Sequence, residues 1–261
     1  MTISVTDFQY EISANGFSLF PKVVPSALLA QIRGEIPVCQ QTCRKWQQQN
    51  GIDAGMEGSA HHIAGGGQAL NEFLFALYLD DYIRAYFSGP YILNSFGAIN
   101  NARYNENTYK HGLRFHRDVR TYSGQFPLMV NMLVMIDDFT EENGATKLVP
   151  GTHRLKDRPD DEYLETHAIR AIGKAGSILL FDSNVWHAAA PNTTDGPRMA
   201  LTLTFTPPFL KQQMDYPRML GDDFPPNEQV RQILGYNARV PSSYDEWYQP
   251  PEKRMYKSGQ G

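Results

Sequence analysis

The segment Arg114-Phe115-His116-Arg117-Asp118 sets a histidine and a carboxylate two residues apart. On an extended segment, alternate side chains fall on the same side. An imidazole and a carboxylate facing one point make half of a metal site. Two histidines and one carboxylate that leave coordination positions open form the arrangement of non-haem iron(II) oxygenases. The third ligand must come from elsewhere, and the candidate is His187, in Phe181-Asp182-Ser183-Asn184-Val185-Trp186-His187. Arg198 follows eleven positions later, just after the turn Asn192-Thr193-Thr194-Asp195-Gly196-Pro197. Such a turn folds the chain back, so a guanidinium can return beside the candidate ligands and take a carboxylate in bidentate fashion.

These residues need a scaffold, and the pattern from Tyr91 onward is one of strands. The candidates are Ile92 to Ala102, Leu113 to Asp118, Leu128 to Ile136, Thr146 to Val149, His167 to Ile172, Ser177 to Phe181, Trp186 to Ala190 and Met199 to Thr206. Short strands separated by Gly, Pro, Asn and Asp turns predict a mainly β fold with flanking helices, its core a jelly roll or double-stranded β-helix of cupin-like form. Before this core, Gly16 to Pro21 reads as a short strand. Val24-Pro25-Ser26 then opens a helix with Ser26 as its cap and Leu28, Leu29 and Ile32 at helical spacing. Helical pattern continues in pieces to about Tyr86, interrupted by Gly65-Gly66-Gly67, which is a loop and no phosphate cradle: no strand precedes it and no Lys follows. After Pro207-Pro208 the chain is irregular, with helices expected over Glu228 to Leu234 and Ser242 to Tyr248. The expectation is one domain over residues 1–261: a helical part at about 24–90, a β core at about 91–208, and a covering segment at 209–261.

A His-x-Asp alone is a weak signal; its force comes from the later His and Arg on predicted strands. Two further segments add to it. Asn143-Gly144-Ala145-Thr146-Lys147-Leu148-Val149-Pro150-Gly151-Thr152-His153 and Gly176-Ser177-Ile178-Leu179-Leu180-Phe181-Asp182-Ser183-Asn184-Val185-Trp186-His187 resemble the phytanoyl-CoA dioxygenase family of iron(II)- and 2-oxoglutarate-dependent oxygenases. The first is similar to that family's Pro-Gly-Ser-His turn, with Thr152 in place of Ser, and Gly16 to Ile32 is similar to its strand-then-helix start. The resemblance runs from Gly16 to about Pro208. It implies Fe(II) held by His116, Asp118 and His187, with Arg198 on the distal carboxylate of 2-oxoglutarate and Asn131 as a polar contact to that co-substrate. It implies consumption of O2, release of succinate and CO2, and stimulation by ascorbate, with hydroxylation as the first outcome and desaturation, epimerisation or ring formation by the same oxidant left open; the expected substrate is a small metabolite or biosynthetic intermediate. Retention of Asp118 favours hydroxylation, because related halogenases lack the carboxylate. The chain departs from the pattern at Ala189, where a hydroxyl is common two residues after the histidine, and at Met199-Ala200 after Arg198; Thr202 or Thr204 could supply the hydroxyl.

Asn131 also reads independently as a polar residue in an apolar strand, which must find a partner because an unpaired buried amide costs ~1–3 kcal/mol. His153 reads as fold-holding, and His61, His62 and His111 as solvated or structural. Cys39 and Cys43 share a helix face but have no further ligands at zinc spacing. Lys110, His111, Arg114, Arg117 and Arg120, with Tyr104, Tyr109 and Tyr122 nearby, would suit an anionic substrate if they face the barrel mouth. Trp186 precedes a candidate ligand, but strand alternation turns it away from the metal side.

Among 261 residues, a net charge of -4 gives no basic footprint for nucleic acid. No apolar run approaches the ~20 residues of a membrane span. The first residues carry neither a basic start nor an apolar signal core, and two cysteines build no disulfide framework, so a cytoplasmic location is the expectation. The competing reading is a β-helix protein that binds a small ligand or metal without catalysis.

Overall fold

The computed structural model of the chain describes residues 3–104 and 111–254. The helix α1 (Val5–Asn15) starts where the Ser4 hydroxyl accepts the Asp7 amide and ends at Gly16, whose φ of 86° lets the chain turn at once into β1 (Phe17–Phe20). A Cβ at Gly16 would run into the side chains of Val185 and His153, so this turn is both left-handed and tightly packed. The α2 helix (Ser26–Gln49) buries Leu28, Leu29, Ile32, Ile36 and Cys39 along one stripe. Its cap position is Pro25, in extended conformation, and no side chain caps it; Ser26 is already helical and does not take the capping role expected of it. After β2 (Ser59–His61), the apolar stretch divides into α3 (Gln68–Phe75) and α4 (Asp80–Phe87), broken where Leu77 and Leu79 take positive φ.

The strands follow as β3 (Ile92–Asn101), β4 (Val130–Met135) and β5 (Lys147–Leu148), then helix α5 (Asp161–His167). Next come β6 (Ile169–Arg170), β7 (Ile178–Asp182), β8 (His187–Ala188) and β9 (Arg198–Thr206). The short helices α6 (Tyr216–Leu220), α7 (Glu228–Ile233) and α8 (Tyr244–Trp247) close the described chain. Among the described residues the strands form a larger antiparallel sheet in the order β1-β7-β4-β9-β3-β2 and a smaller one in the order β6-β5-β8. The chain passes from β4 in the larger sheet to β5 and β6 in the smaller, back to β7, across to β8, and back to β9. That alternation is the winding of a jelly roll, and the fold is mainly β with flanking helices.

Sidedness organises the core. β4 is buried along its whole length, which explains its near-continuous apolar run. Val130, Met132 and Val134 join Ile32, Ile36, Leu70 and Phe73 of the helices, whereas Leu133 and Met135 face the smaller sheet and pack with Phe139, Leu148 and Phe181. On β9, Leu201, Leu203 and Phe205 belong to the helix-side core, and Arg198, Ala200, Thr202 and Thr204 line the space between the sheets.

One expected strand is absent as a ladder. Residues 113–118 make a single bridge, His116 to His187, after a short 3-10 turn at His111–Leu113. The Asp118 amide bonds the Ser183 carbonyl at 3.1 Å while the His116 amide bonds that of His187 at 2.9 Å. Two residues on one side therefore span four on the other, because Asp182 to Val185 forms a turn, and regular pairing cannot run through it. Among the described residues no helix is long and apolar enough to cross a membrane.

Substituting Gly16 by Ala is expected to destabilise the fold by roughly 2 kcal/mol, since both the φ and the space oppose a side chain. Thermal melting followed by circular dichroism should show the midpoint lowered by roughly 4–8 °C.

Candidate metal centre

His187 is fixed by its backbone on both sides. It pairs with Leu148 of β5 on one side and exchanges two hydrogen bonds with His116 on the other, at 2.9 and 3.0 Å. The two imidazoles are thereby brought to 4.3 Å between centroids. Asp118 completes the group. Its Oδ1 lies 3.5 Å from His116 Nε2 and 3.6 Å from His187 Nε2, and one donor atom from each of the three residues falls within 4.8 Å of the others.

Each ring is oriented by its second nitrogen. His116 Nδ1 donates to the Arg114 carbonyl at 2.9 Å, and His187 Nδ1 donates to the Val185 carbonyl at 3.0 Å. A proton held on Nδ1 leaves the Nε2 lone pair free, and both lone pairs belong to the atoms that converge on Asp118. Two imidazole nitrogens and one carboxylate oxygen suit a divalent transition metal and leave room for other ligands. Although a third of the Asp118 side chain is accessible, the packing around it opposes ionisation; His187, then His116 and the Asn131 amide outweigh that and hold the carboxyl below its usual range. The Asp118 carboxylate, 3.5 Å from His116 Nε2, raises the titration of His116, while burial lowers that of His187.

The triad opens into a cavity of about 410 Å³ between the sheets, lined also by Arg198, Asn131, Thr146, Phe181 and Thr202. Arg198 on this lining is 4% exposed, with its guanidinium 4.0 Å from the centroid of the Phe139 ring. Nη2 donates to the Gly144 carbonyl at 3.2 Å, but Nε is buried and meets no acceptor among the described residues. Burial lowers its titration to about 10, partly opposed by Asp137, so the group is still a cation at neutral pH. A buried guanidinium with an unanswered donor fits an incoming carboxylate.

The four residues His116, Asp118, His187 and Arg198 therefore lie around one cavity. Asn131 joins them, but its amide nitrogen donates to Asp118 Oδ2 at 2.6 Å. The arginine cluster goes elsewhere. Arg117 donates to the carbonyls of Asn184, Thr152, Leu155 and Lys156 and lies 4.9 Å above Trp186, which is turned away from the metal side. Arg114 and Arg120 are exposed and Tyr122 bonds the Arg154 carbonyl; Tyr109 and Lys110 lie outside the described residues. His153 bonds the Ser13 carbonyl at 3.2 Å, tying its turn to α1. Phe139, Ser95 and Gln213 are additions from the structure: the first underlies Arg198, and the others line the cavity. Their types carry no signal of such roles, and only the register of β3 against β9 places Ser95 opposite Thr204.

Comparison with known proteins agrees with this geometry. The family model for phytanoyl-CoA dioxygenase (PhyH) matches residues 12–200. An uncharacterized protein of Mycobacterium tuberculosis is 44% identical over 149 residues, which cover 56% of this chain and 55% of that protein. The dioxygenase cdmA of Talaromyces verruculosus is 30% identical over 125 residues, covering 45% of this chain and 40% of the relative. The matched parts thus amount to about half, or less, of these relatives' lengths. Among solved structures, the non-heme alpha ketoglutarate dependent epimerase SnoN from nogalamycin biosynthesis superposes with a TM-score of 0.59 at 15% identity, covering 77% of this chain and 82% of SnoN. At that identity the likeness is one of fold.

Alanine at His116, Asp118 or His187 is expected to weaken divalent-metal binding by more than the roughly 10–100-fold that outer-sphere changes cause. Anaerobic calorimetric titration with Fe(II) measures this, and unchanged affinity in any one variant removes that residue from the site.

Proposed function

The chain belongs to the phytanoyl-CoA dioxygenase (PhyH) family, and from that premise we propose that it is an iron(II)- and 2-oxoglutarate-dependent dioxygenase acting on an uncharged small molecule. The observation that carries the reading is one cavity holding both a carbonyl-oriented His-Asp-His group and a buried arginine whose Nε has no partner among the described residues. When bound, iron(II) with 2-oxoglutarate and O2 supplies the oxidation, in which the co-substrate becomes succinate and CO2 and the substrate gains an oxygen atom.

The protein's own residues supply position and environment. His116 and His187 present Nε2, Asp118 presents Oδ1, and together they hold the metal by three donors. Arg198 takes the distal carboxylate of 2-oxoglutarate, its cation desolvated above Phe139 and fixed by the Gly144 carbonyl. The desolvation that lowers its titration also strengthens its pull on an anion, because charges attract more strongly at low local dielectric. Phe181, Leu133 and Ala200 give the cavity apolar walls.

The substrate end of the cavity is polar without being charged. Apart from the triad and Arg198, the described lining consists of neutral side chains, among them Ser95, Asn101, Thr202, Thr204 and Gln213. Hydroxyl and amide partners of this kind suit hydroxyl or carbonyl groups, whereas an unpaired buried charge would be costly. The arginines that suggested an anion are turned to backbone carbonyls or exposed, which supports a neutral substrate at the reacting end.

Purified protein supplied with Fe(II), 2-oxoglutarate and ascorbate should release succinate, and chelation of iron should abolish the release. Arg198→Ala should weaken 2-oxoglutarate binding roughly 100-fold, the scale of losing charge-assisted hydrogen bonds, with Fe(II) affinity within about threefold of wild type. Full succinate formation by that variant would overturn the co-substrate assignment. Iron binding by the wild type with no succinate under any compound panel would favour a non-catalytic binding protein.

A further inference from the structure

Asn131 is the one polar side chain of β4, a strand buried along its length, and it is 4% exposed. An amide there persists only with a partner. The partner is 13 positions earlier in the chain: Nδ2 donates to Asp118 Oδ2 at 2.6 Å. The orientation of the amide follows from chemistry, because an ionised carboxylate accepts and cannot donate. The other oxygen of the same carboxylate, Oδ1, is the one that faces His116 Nε2 and His187 Nε2 at 3.5 and 3.6 Å. The two oxygens of Asp118 are thus divided between two tasks.

We infer that Asn131 is a positioning residue for Asp118, tying off Oδ2 so that the carboxylate meets the metal through Oδ1 alone. The inference rests on the iron-binding reading above and gives Asn131 a task different from contacting the co-substrate. A carboxylate free to turn could offer both oxygens and take a position that other ligands need. The hydrogen bond opposes that rotation. The strand backs this up: Asn131 is paired with Phe181 of β7 and with Thr204 of β9, so its Cα is held from both sides. Asn131 Oδ1 is buried without a donor among the described residues. A 2-oxoglutarate carboxylate, itself an acceptor, cannot satisfy that atom.

The test reads metal binding before any co-substrate is added. Asn131→Leu keeps the size of the side chain beside Leu133 and removes the donor. Its Fe(II) affinity, measured anaerobically without 2-oxoglutarate, is expected to fall roughly tenfold or more, as loss of an outer-sphere partner does. Unchanged Fe(II) affinity, whatever then happens to 2-oxoglutarate binding, would overturn the inference, because a residue touching only the co-substrate leaves the binary metal complex alone. Asn131→Thr, a strand-favouring residue too short to reach Oδ2, provides the same reading if the Leu variant fails to fold. A wild-type protein that binds no Fe(II) overturns the metal reading itself, an outcome distinct from wild-type binding with an unaffected variant.

Discussion

Two backbone hydrogen bonds exchanged between His116 and His187 hold the two halves of the metal group together. One histidine sits in an irregular connection and the other on a two-residue strand, so neither is fixed by long pairing of its own. Their mutual bridge, with Leu148 on the far side of His187, makes a narrow three-stranded seam where the smaller sheet would otherwise fray. Everything chemical depends on that seam. It brings the imidazoles together, and it lets Asp118, two residues on, reach the same point by bonding its own amide to Ser183.

The electrostatics of the cavity are built from separation. Among the described residues Arg198 is a buried cation without an ion-pair partner. Asp137, which acts on it electrostatically, is already held by Arg33 and by the Met199 amide. Asp118, on the same cavity, is an anion stabilised by the histidines and an amide, and among the described residues it forms no ion pair with the arginine. Opposite charges that line one cavity without pairing do not neutralise each other. Each is left able to attract a ligand of the other sign, which a direct Asp118–Arg198 pair would forbid.

Much of this could be read from residue pattern because the informative segments are extreme. β4 is buried on both faces and therefore reads as an unbroken apolar run, against which Asn131 stands out as needing a partner. The jelly roll follows from the strand spacing, and the resemblance over residues 143–153 and 176–187 points to the same group of side chains that the fold brings together. Other features left no local trace. α1 buries only Phe8 and Ile12, too little periodicity to announce a helix. The alternation in 113–118 is that of a strand, but the turn at 182–185 on the opposite side denies it a ladder. Arg117 looked available for a substrate. Its guanidinium instead gathers carbonyls 35 and more positions away, which only the folded chain brings within reach. The Asn131–Asp118 contact was hidden for the same reason.

The orienting bonds on His116 and His187 end on main-chain oxygens, those of Arg114 and Val185, and not on side chains. Main-chain oxygens are common to every amino acid. Amino-acid replacement at positions 114 and 185 can therefore alter the surface or the packing while leaving the imidazole tautomers where they are. The cavity lining has no such insulation, since Ser95, Thr204 and Gln213 act through the atoms that replacement changes. The architecture thus divides into an inheritable constant, the His-Asp-His group, and a variable wall that descendants of this chain could reshape without rebuilding that group.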